Sequence, residues 1–317
     1  MLSLTAVVPA TNDPPTLAAC LDAIAAADEP PEQVVVVTEG DGPAAARNAG
    51  AADATGDVVV FVDADVLAHP DVFTRIRTAF DEGPDVTAVF GSYDDSPADP
   101  GMVSQFRNLL HHHIHEQGAG EAATFWAGLG AVRADAFRAA GGFDAERYRL
   151  PSVEDIDLGA RLVAEGGRIL LDPLVQGTHL KRWTLSDMVH TDFWQRGVPW
   201  VELVLRHRSG ASVLNLGWRH RVSAAAVVIT ALAVVRGKPG TALCGLMTLT
   251  ALNAELYELL LRRRGLAAAT AAVGLHAVHH VTGALAVPVG VARHLECELR
   301  GAGPLPNYRT SAERPTI

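Results

Sequence analysis

Apolar and polar positions switch between two periods along the first 80 residues. Residues 1–9, 33–38 and 57–62 are short runs rich in Val with no helical spacing, and they predict buried strands. Between them, 17–27 and 71–80 repeat apolar residues every three to four positions, and 43–54 is rich in Ala; these predict helices. Apolar strands alternating with helices predict a parallel sheet covered on both faces. Residues 1–205 are therefore expected to form an α/β domain with a Rossmann-like first half. The run at 1–9 lacks a charged start and a small-residue cleavage site, so it reads as a strand and not as a leader peptide.

Beyond Arg221 the pattern changes. Residues 222–235 carry no charge, Arg236-Gly237-Lys238-Pro239-Gly240 interrupts them, and 241–261 follows as 21 residues. As one helix that stretch would reach about 31 Å, enough for a hydrocarbon core of about 30 Å. A third apolar stretch, 266–292, contains His276, His279, His280 and Pro288. Residues 206–300 are expected to form an apolar helical, membrane-associated region, spanning or lying as an interfacial cap, with 301–317 as a tail. The Arg262-Arg263-Arg264 triplet favours a cytoplasmic end for the second helix.

Composition adds exclusions. The chain has 317 residues, 49% of them hydrophobic and 20% charged, which excludes a disordered chain. The net charge of −10 is unevenly spread: residues 1–200 hold 13 Lys and Arg against 30 Asp and Glu, and 201–317 hold 13 against 6. An acidic front half excludes nucleic acid as a partner, and a basic, apolar back half suits an anionic membrane surface. Cys20, Cys244 and Cys297 lie far apart without zinc spacing, which fits a reducing compartment. Neither GxGxxG nor GxxxxGK[ST] is present, so a dinucleotide dehydrogenase or a P-loop NTPase is not expected.

Candidate chemistry centres on Val62-Asp63-Ala64-Asp65. Two carboxylates spaced i, i+2 leave the carboxyl end of a buried strand, where open α/β sheets bind ligands. Such a pair suits a divalent metal against a diphosphate, or else a simple turn. Ser152-Val153-Glu154-Asp155 has the form of a capping box; a helix N-terminus there would keep Asp155 ionised. His111, His112, His113 and His115 cannot all face one ion, and the helix carrying them is expected to line an acceptor entrance or to rest near headgroups. Trp194, Trp200 and Trp218 read as interfacial anchors or as ordinary core aromatics.

The order of these blocks resembles the family-two glycosyltransferases of the GT-A fold. The resemblance runs from Val7-Val8-Pro9 through Gly42-Pro43-Ala44-Ala45-Ala46-Arg47-Asn48-Ala49-Gly50 and Asp63-Ala64-Asp65 to Phe125-Trp126-Ala127-Gly128. It continues with Gly141-Gly142-Phe143-Asp144, Glu154-Asp155 and His179-Leu180-Lys181-Arg182-Trp183, covering most of residues 1–185. The apolar tail is similar to the membrane-associated bacterial branch. The resemblance implies a GT-A nucleotide-diphospho-sugar transferase domain followed by a helical, transmembrane region. It implies that Pro9, Thr11, Glu39, Arg47, Asp63, Ala64, Asp65 and Arg182 bind the nucleotide-sugar, with Glu39 and Arg47 at the base. Asp65, Asp63 and His179 would hold Mg²⁺ or Mn²⁺. Asp155 would be the general base with Glu154 orienting the acceptor, and Trp126, Gly142 and Trp183 would form the acceptor side. HxxRW stands where processive relatives carry QxxRW, a departure that argues against processive synthesis.

The expected activity is inverting sugar transfer from a nucleotide-diphosphate sugar to a hydroxyl of a lipid-linked or membrane-proximal acceptor, on the cytoplasmic side of a membrane. Polyprenyl-phosphate glycosylation and a non-catalytic membrane scaffold are the alternatives. A nucleotidyltransferase would need a Gly-rich basic loop after the first strand, and Pro9-Ala10-Thr11-Asn12-Asp13 lacks it.

Overall fold

The computed structural model describes residues 2–207 and 217–300; the tail expected at 301–317 lies outside them. The first half follows the alternation of the sequence: β1 (Leu4–Pro9), α1 (Leu17–Ala25), β2 (Gln33–Val37), α2 (Pro43–Ala52), β3 (Val58–Val62), β4 (Val66–Ala68) and α3 (Val72–Glu82). Then come β5 (Val86–Tyr93), α4 (Met102–Gln117), β6 (Gly120–Ala122), β7 (Leu129–Arg133), α5 (Ala134–Ala139), α6 (Glu154–Ala164) and β8 (Arg168–His179). The sheet has the order β2-β1-β3-β7-β5-β8-β4, with β6 on β8.

This sheet is mixed, which corrects the expected all-parallel one. β2, β1 and β3 run parallel, as do β5 and β8, but β7 lies antiparallel between β3 and β5, and β4 and β6 are antiparallel to β8. Hydropathy reports that a strand is buried, not its direction, so an inserted antiparallel strand leaves no trace in it. β2 departs as well: it is the edge strand, and Val34 is 42% exposed. By contrast all five residues of β3 are buried, with apolar clusters on both faces of the sheet.

A rod follows β8: α7 (Leu185–His190), a π-helix (Thr191–Gly197) and α8 (Val198–His207). After residue 216 come α9 (Trp218–Val235), α10 (Pro239–Leu252) and α11 (Ala254–Arg300). The span expected at 241–261 is not one helix. α10 stops after 14 residues and Asn253 caps it, so it reaches about 21 Å. Gly265 then breaks α11 with φ +82°. α9 and α11 are each long and apolar enough to cross a membrane. The apolar face of the α9–α10 pair points outward, as in Leu232, Val235 and Met247.

Candidate active site

The first carboxylate pair sits where β3 ends. Asp63 leaves the strand with its N–H donating to the Gly128 carbonyl at 3.0 Å, and its own carbonyl accepts from Val66 N–H at 2.9 Å, turning the chain into β4. Ala64 is buried between the two half-buried acids. β4 then pairs with the end of β8 so that Val66 stands opposite His179. That pairing brings His179 Nε2 to 3.5 Å from Asp65 Oδ2. A bulge in β8 makes it possible: the β5–β8 register jumps between Phe90 and Ser92, and a Cβ on Gly91 would overlap the Val175 carbonyl. His179 is buried and stacks on Tyr93, with ring centroids 4.1 Å apart.

The second pair lies at the start of α6 and is tied to the first twice. Arg47, only 6% exposed, donates from Nη2 to Asp63 Oδ1 at 2.7 Å and from Nη1 to Glu154 Oε1 at 2.9 Å. The 126–128 loop supplies the other tie, with Ala127 N–H donating to Asp155 Oδ2 at 3.2 Å while Gly128 holds Asp63. Arg47 is set by α2, whose Gly50 has no room for a Cβ against Val7, and whose Asn48 exchanges two hydrogen bonds with the backbone of Phe143. The close packing expected at Asn48 and Gly50 is thus present, and Arg47 is no surface charge.

The expected capping box does not form. Val153 is the N-cap, the Ser152 hydroxyl has no partner, and Glu154 Oε2 instead accepts the Ser152 N–H at 2.8 Å. Asp155 is not kept ionised by the helix end either. Burial, and then the neighbouring Glu154, push its carboxyl up to about 7, against the pull of Arg47 and the Ala127 and Ile156 N–H groups. Burial outweighs Arg47 at Asp63 too and raises it, whereas at Asp65 burial is overcome by the His179 hydrogen bond, which holds it below its usual range. For Arg47 burial opposes the charge, but Asp63 and Glu154 outweigh it and hold the guanidinium protonated.

The remaining expected residues divide. Pro9 ends β1 at the same edge of the sheet, followed by half-buried Thr11, while Glu39 is exposed beyond β2. Arg182 is exposed, whereas its neighbour Lys181 stands over the Trp183 ring at 4.3 Å and within the field of Asp65. Trp126 packs on Tyr93, His111 and His115. Gly142, with φ +68°, lies against Asn48 and lines a different cavity from the one reached by His179 and Trp183. That latter cavity, about 600 Å³, is walled by Tyr93, α4, the π-helix, α8, α9 and α11. His111 and His115 of α4 face it. Tyr93, Arg107, Asp192 and Arg196 in its wall carry no motif; only the fold brings them to His179.

Asp65 and His179 offer one carboxylate and one imidazole. Among the described residues no group of three His, Cys, Asp or Glu converges as a metal site. The donor set fits a divalent cation that draws its other ligands from phosphate oxygens and water, as Mg²⁺ does.

A family model described as "Glycosyl transferase family 2" matches residues 34–141, from β2 through Asp63 and Asp65 to α5. The chain carries a family-two glycosyltransferase domain. Over 174 residues it is 31% identical to a pre-mycofactocin glycosyltransferase of Mycobacterium tuberculosis, found in two strains, a match covering 52% of this chain and 36% of that protein. The chain thus spans about a third of the curated relatives it matches. A mannosyltransferase from Pyrobaculum calidifontis, solved in complex with GDP-Man and Mn²⁺, superposes with a TM-score of 0.53 at 19% identity, over 93% of this chain and 87% of that one. At that identity the likeness shows the fold, which is GT-A.

Proposed function

We propose that the protein is an inverting glycosyltransferase that moves a sugar from a nucleotide-diphosphate donor to the hydroxyl of a membrane-proximal acceptor. The observation that carries this reading is the convergence of Asp63 and Asp65 with Glu154 and Asp155 through Arg47 and the 126–128 loop. Pro9, Thr11, Asp63 and Ala64 form the donor edge, and Glu39 or its neighbours meet the base. A divalent cation at Asp65, beside Asp63 and His179, would supply charge neutralisation to the departing diphosphate.

Asp155 takes the proton of the acceptor hydroxyl. The hydroxyl oxygen forms a bond to the anomeric carbon as the bond from that carbon to the diphosphate breaks, and one displacement inverts the configuration. A carboxyl titrating near 7 is matched to that task. Glu154 has both oxygens occupied by Arg47 and Ser152, so in this scheme it orients the neighbouring base instead of meeting the acceptor. Arg47 likewise acts on Asp63 from within the fold. Lys181 and Arg182 flank the diphosphate side, and Trp126 and Trp183 the acceptor side. The relative's pre-mycofactocin activity and the neighbour's GDP-Man and Mn²⁺ support donor and metal classes of this kind. α9 and α11 would hold the site against a bilayer, with the Arg triplet on the cytoplasmic face.

The test is a screen of UDP-, GDP- and dTDP-sugars on detergent-purified protein with and without Mn²⁺. Release of one nucleoside diphosphate that depends on metal and is lost in Asp65→Ala is the expected result. A protein that binds no nucleotide by calorimetry would be the scaffold instead.

A further inference from the structure

His179 lacks the support that a metal-binding imidazole ordinarily has. In such sites the ring nitrogen turned away from the cation usually donates to a carboxylate or a carbonyl, which fixes the plane of the ring. Here Nε2 is turned to Asp65 Oδ2 at 3.5 Å, and Nδ1 has no hydrogen-bond partner among the described residues. What meets the buried ring instead is a flat face. Tyr93 lies parallel to it, with centroids 4.1 Å apart and planes 8° apart.

Tyr93 is itself held firmly enough to present that face. It ends β5 opposite Gly177 of β8, two residues before His179, so the two rings are diagonal neighbours on one face of the sheet. Trp126 stands edge-on to the Tyr93 ring at 4.8 Å, and His111 packs on it at 4.4 Å. The Tyr93 carbonyl accepts from His112 Nδ1 at 2.9 Å. Asp94 closes the strand end: its N–H donates to the Gly177 carbonyl at 3.0 Å, and its carboxylate accepts from the hydroxyl of Thr178, the residue before His179. The Tyr93 hydroxyl has no hydrogen-bond partner among the described residues, so the arrangement uses the ring and not its polar tip.

We infer that Tyr93 is a positioning residue for the cation site: its ring holds the plane of the His179 imidazole, so that Nε2 stays turned toward Asp65. The inference rests on the transferase reading and adds to it a residue that no motif marks. The nitrogen donor bears on which cation is taken, because Mg²⁺ keeps oxygen ligands whereas Mn²⁺ accepts imidazole more readily. Without the Tyr93 face the imidazole is free to turn about its side-chain bonds. The nitrogen is then withdrawn, and Asp65 is left with oxygen donors alone.

The probe is Mn²⁺ alone, titrated into detergent-purified full-length protein and followed by EPR, with Mg²⁺ as competitor. Pulsed EPR reads the nitrogen coupling of a bound imidazole, which the wild-type protein should show and His179→Ala should lose. Tyr93→Leu should weaken Mn²⁺ binding about tenfold, the lower end for lost support of a metal ligand, and change Mg²⁺ binding by less than about twofold. Its nitrogen coupling should fall with the affinity. Tyr93→Phe, which keeps the ring, should bind Mn²⁺ as the wild type does. Tyr93→Met serves as a second variant without the flat face, and melting curves show which variants fold. Unchanged Mn²⁺ affinity and full nitrogen coupling in a folded Tyr93→Leu or Tyr93→Met would overturn the proposal. So would a Tyr93→Phe protein as weak as Tyr93→Leu, failure of both Leu and Met variants to fold, or a wild-type protein that binds no Mn²⁺ or shows no nitrogen coupling. Nucleotide binding by the wild-type protein, measured by calorimetry in the same detergent, reports separately on the transferase reading.

Discussion

The catalytic domain and the helices after residue 216 use apolar residues in opposite ways. In β3 every side chain faces inward, so hydropathy there locates a core. In α9 and α10 many of the largest apolar side chains face outward, Val235 being 85% exposed. The charges differ in the same sense. The catalytic domain buries Arg47 and Glu154 as a pair, while Arg262 and Glu258 at the end of the helical region form an exposed one. On the membrane-associated reading proposed above, one chain is built for two solvents, and a hydrophobic run means "inside" only where water is the surrounding medium.

Substitutions can break or sharpen that contrast. The largest effect is expected at the buried acids: Asp155→Asn should lower transfer by about 10²- to 10⁴-fold, the range for a lost general base, read as nucleoside diphosphate release with acceptor present. A pH profile belongs with it. The ionised form is the active one, so the rate should rise with pH through about 7 and level off above it. The residual rate of Asp155→Asn should lack that limb; a limb that survives would remove Asp155 as the base. Next is Arg47→Ala, which leaves Glu154 buried without its partner. A loss of about 3–5 kcal/mol is expected, visible as a lower melting temperature, and Glu154→Gln should recover part of it in the double variant.

The helical region should respond to a different assay. Leu232→Asp adds a charge to an outward apolar face, at a cost of about 2.5–3.5 kcal/mol if that face lies deep in a bilayer. It should shift the protein from vesicle-bound to soluble in flotation while leaving the melting of the catalytic domain in place. If flotation is unchanged, α9 faces water and the two-solvent contrast fails. The smallest effect is expected at the sheet edge, where Val34→Thr should change stability by no more than about 0.5 kcal/mol.

Legibility in the sequence follows the same division. The runs ending at Pro9, Val37 and Val62 were readable because strands and helices differ in period, and Asp63, Asp65, Glu154 and Asp155 stood out as paired acids at element ends. The antiparallel insertion of β7 was not readable, since direction leaves no mark on hydropathy. The Ser152 capping box was a false signal: Glu154 takes the backbone N–H that shapes the turn, and Asp155 points to Ala127. The 21-residue apolar stretch hid a break, because Asn253 is uncharged and Leu252-Asn253-Ala254 does not interrupt hydropathy. Tyr93, Arg196 and His280 come together from three distant segments, and no local spacing reports such a meeting.

The π-helix at Thr191–Gly197 has an arithmetic consequence. Each residue of an α-helix advances the chain by about 100° of rotation, and a π turn absorbs an extra residue without ending the rod. Winding those seven residues as ordinary α-helix, with none removed, would swing α8 on by about one residue's step, roughly a quarter turn. Trp200 and Val201 would then leave the cavity wall, although their own sequence was untouched. The shape of that space is thus a matter of phase: it is kept by how Thr191–Gly197 winds as much as by which residues it contains.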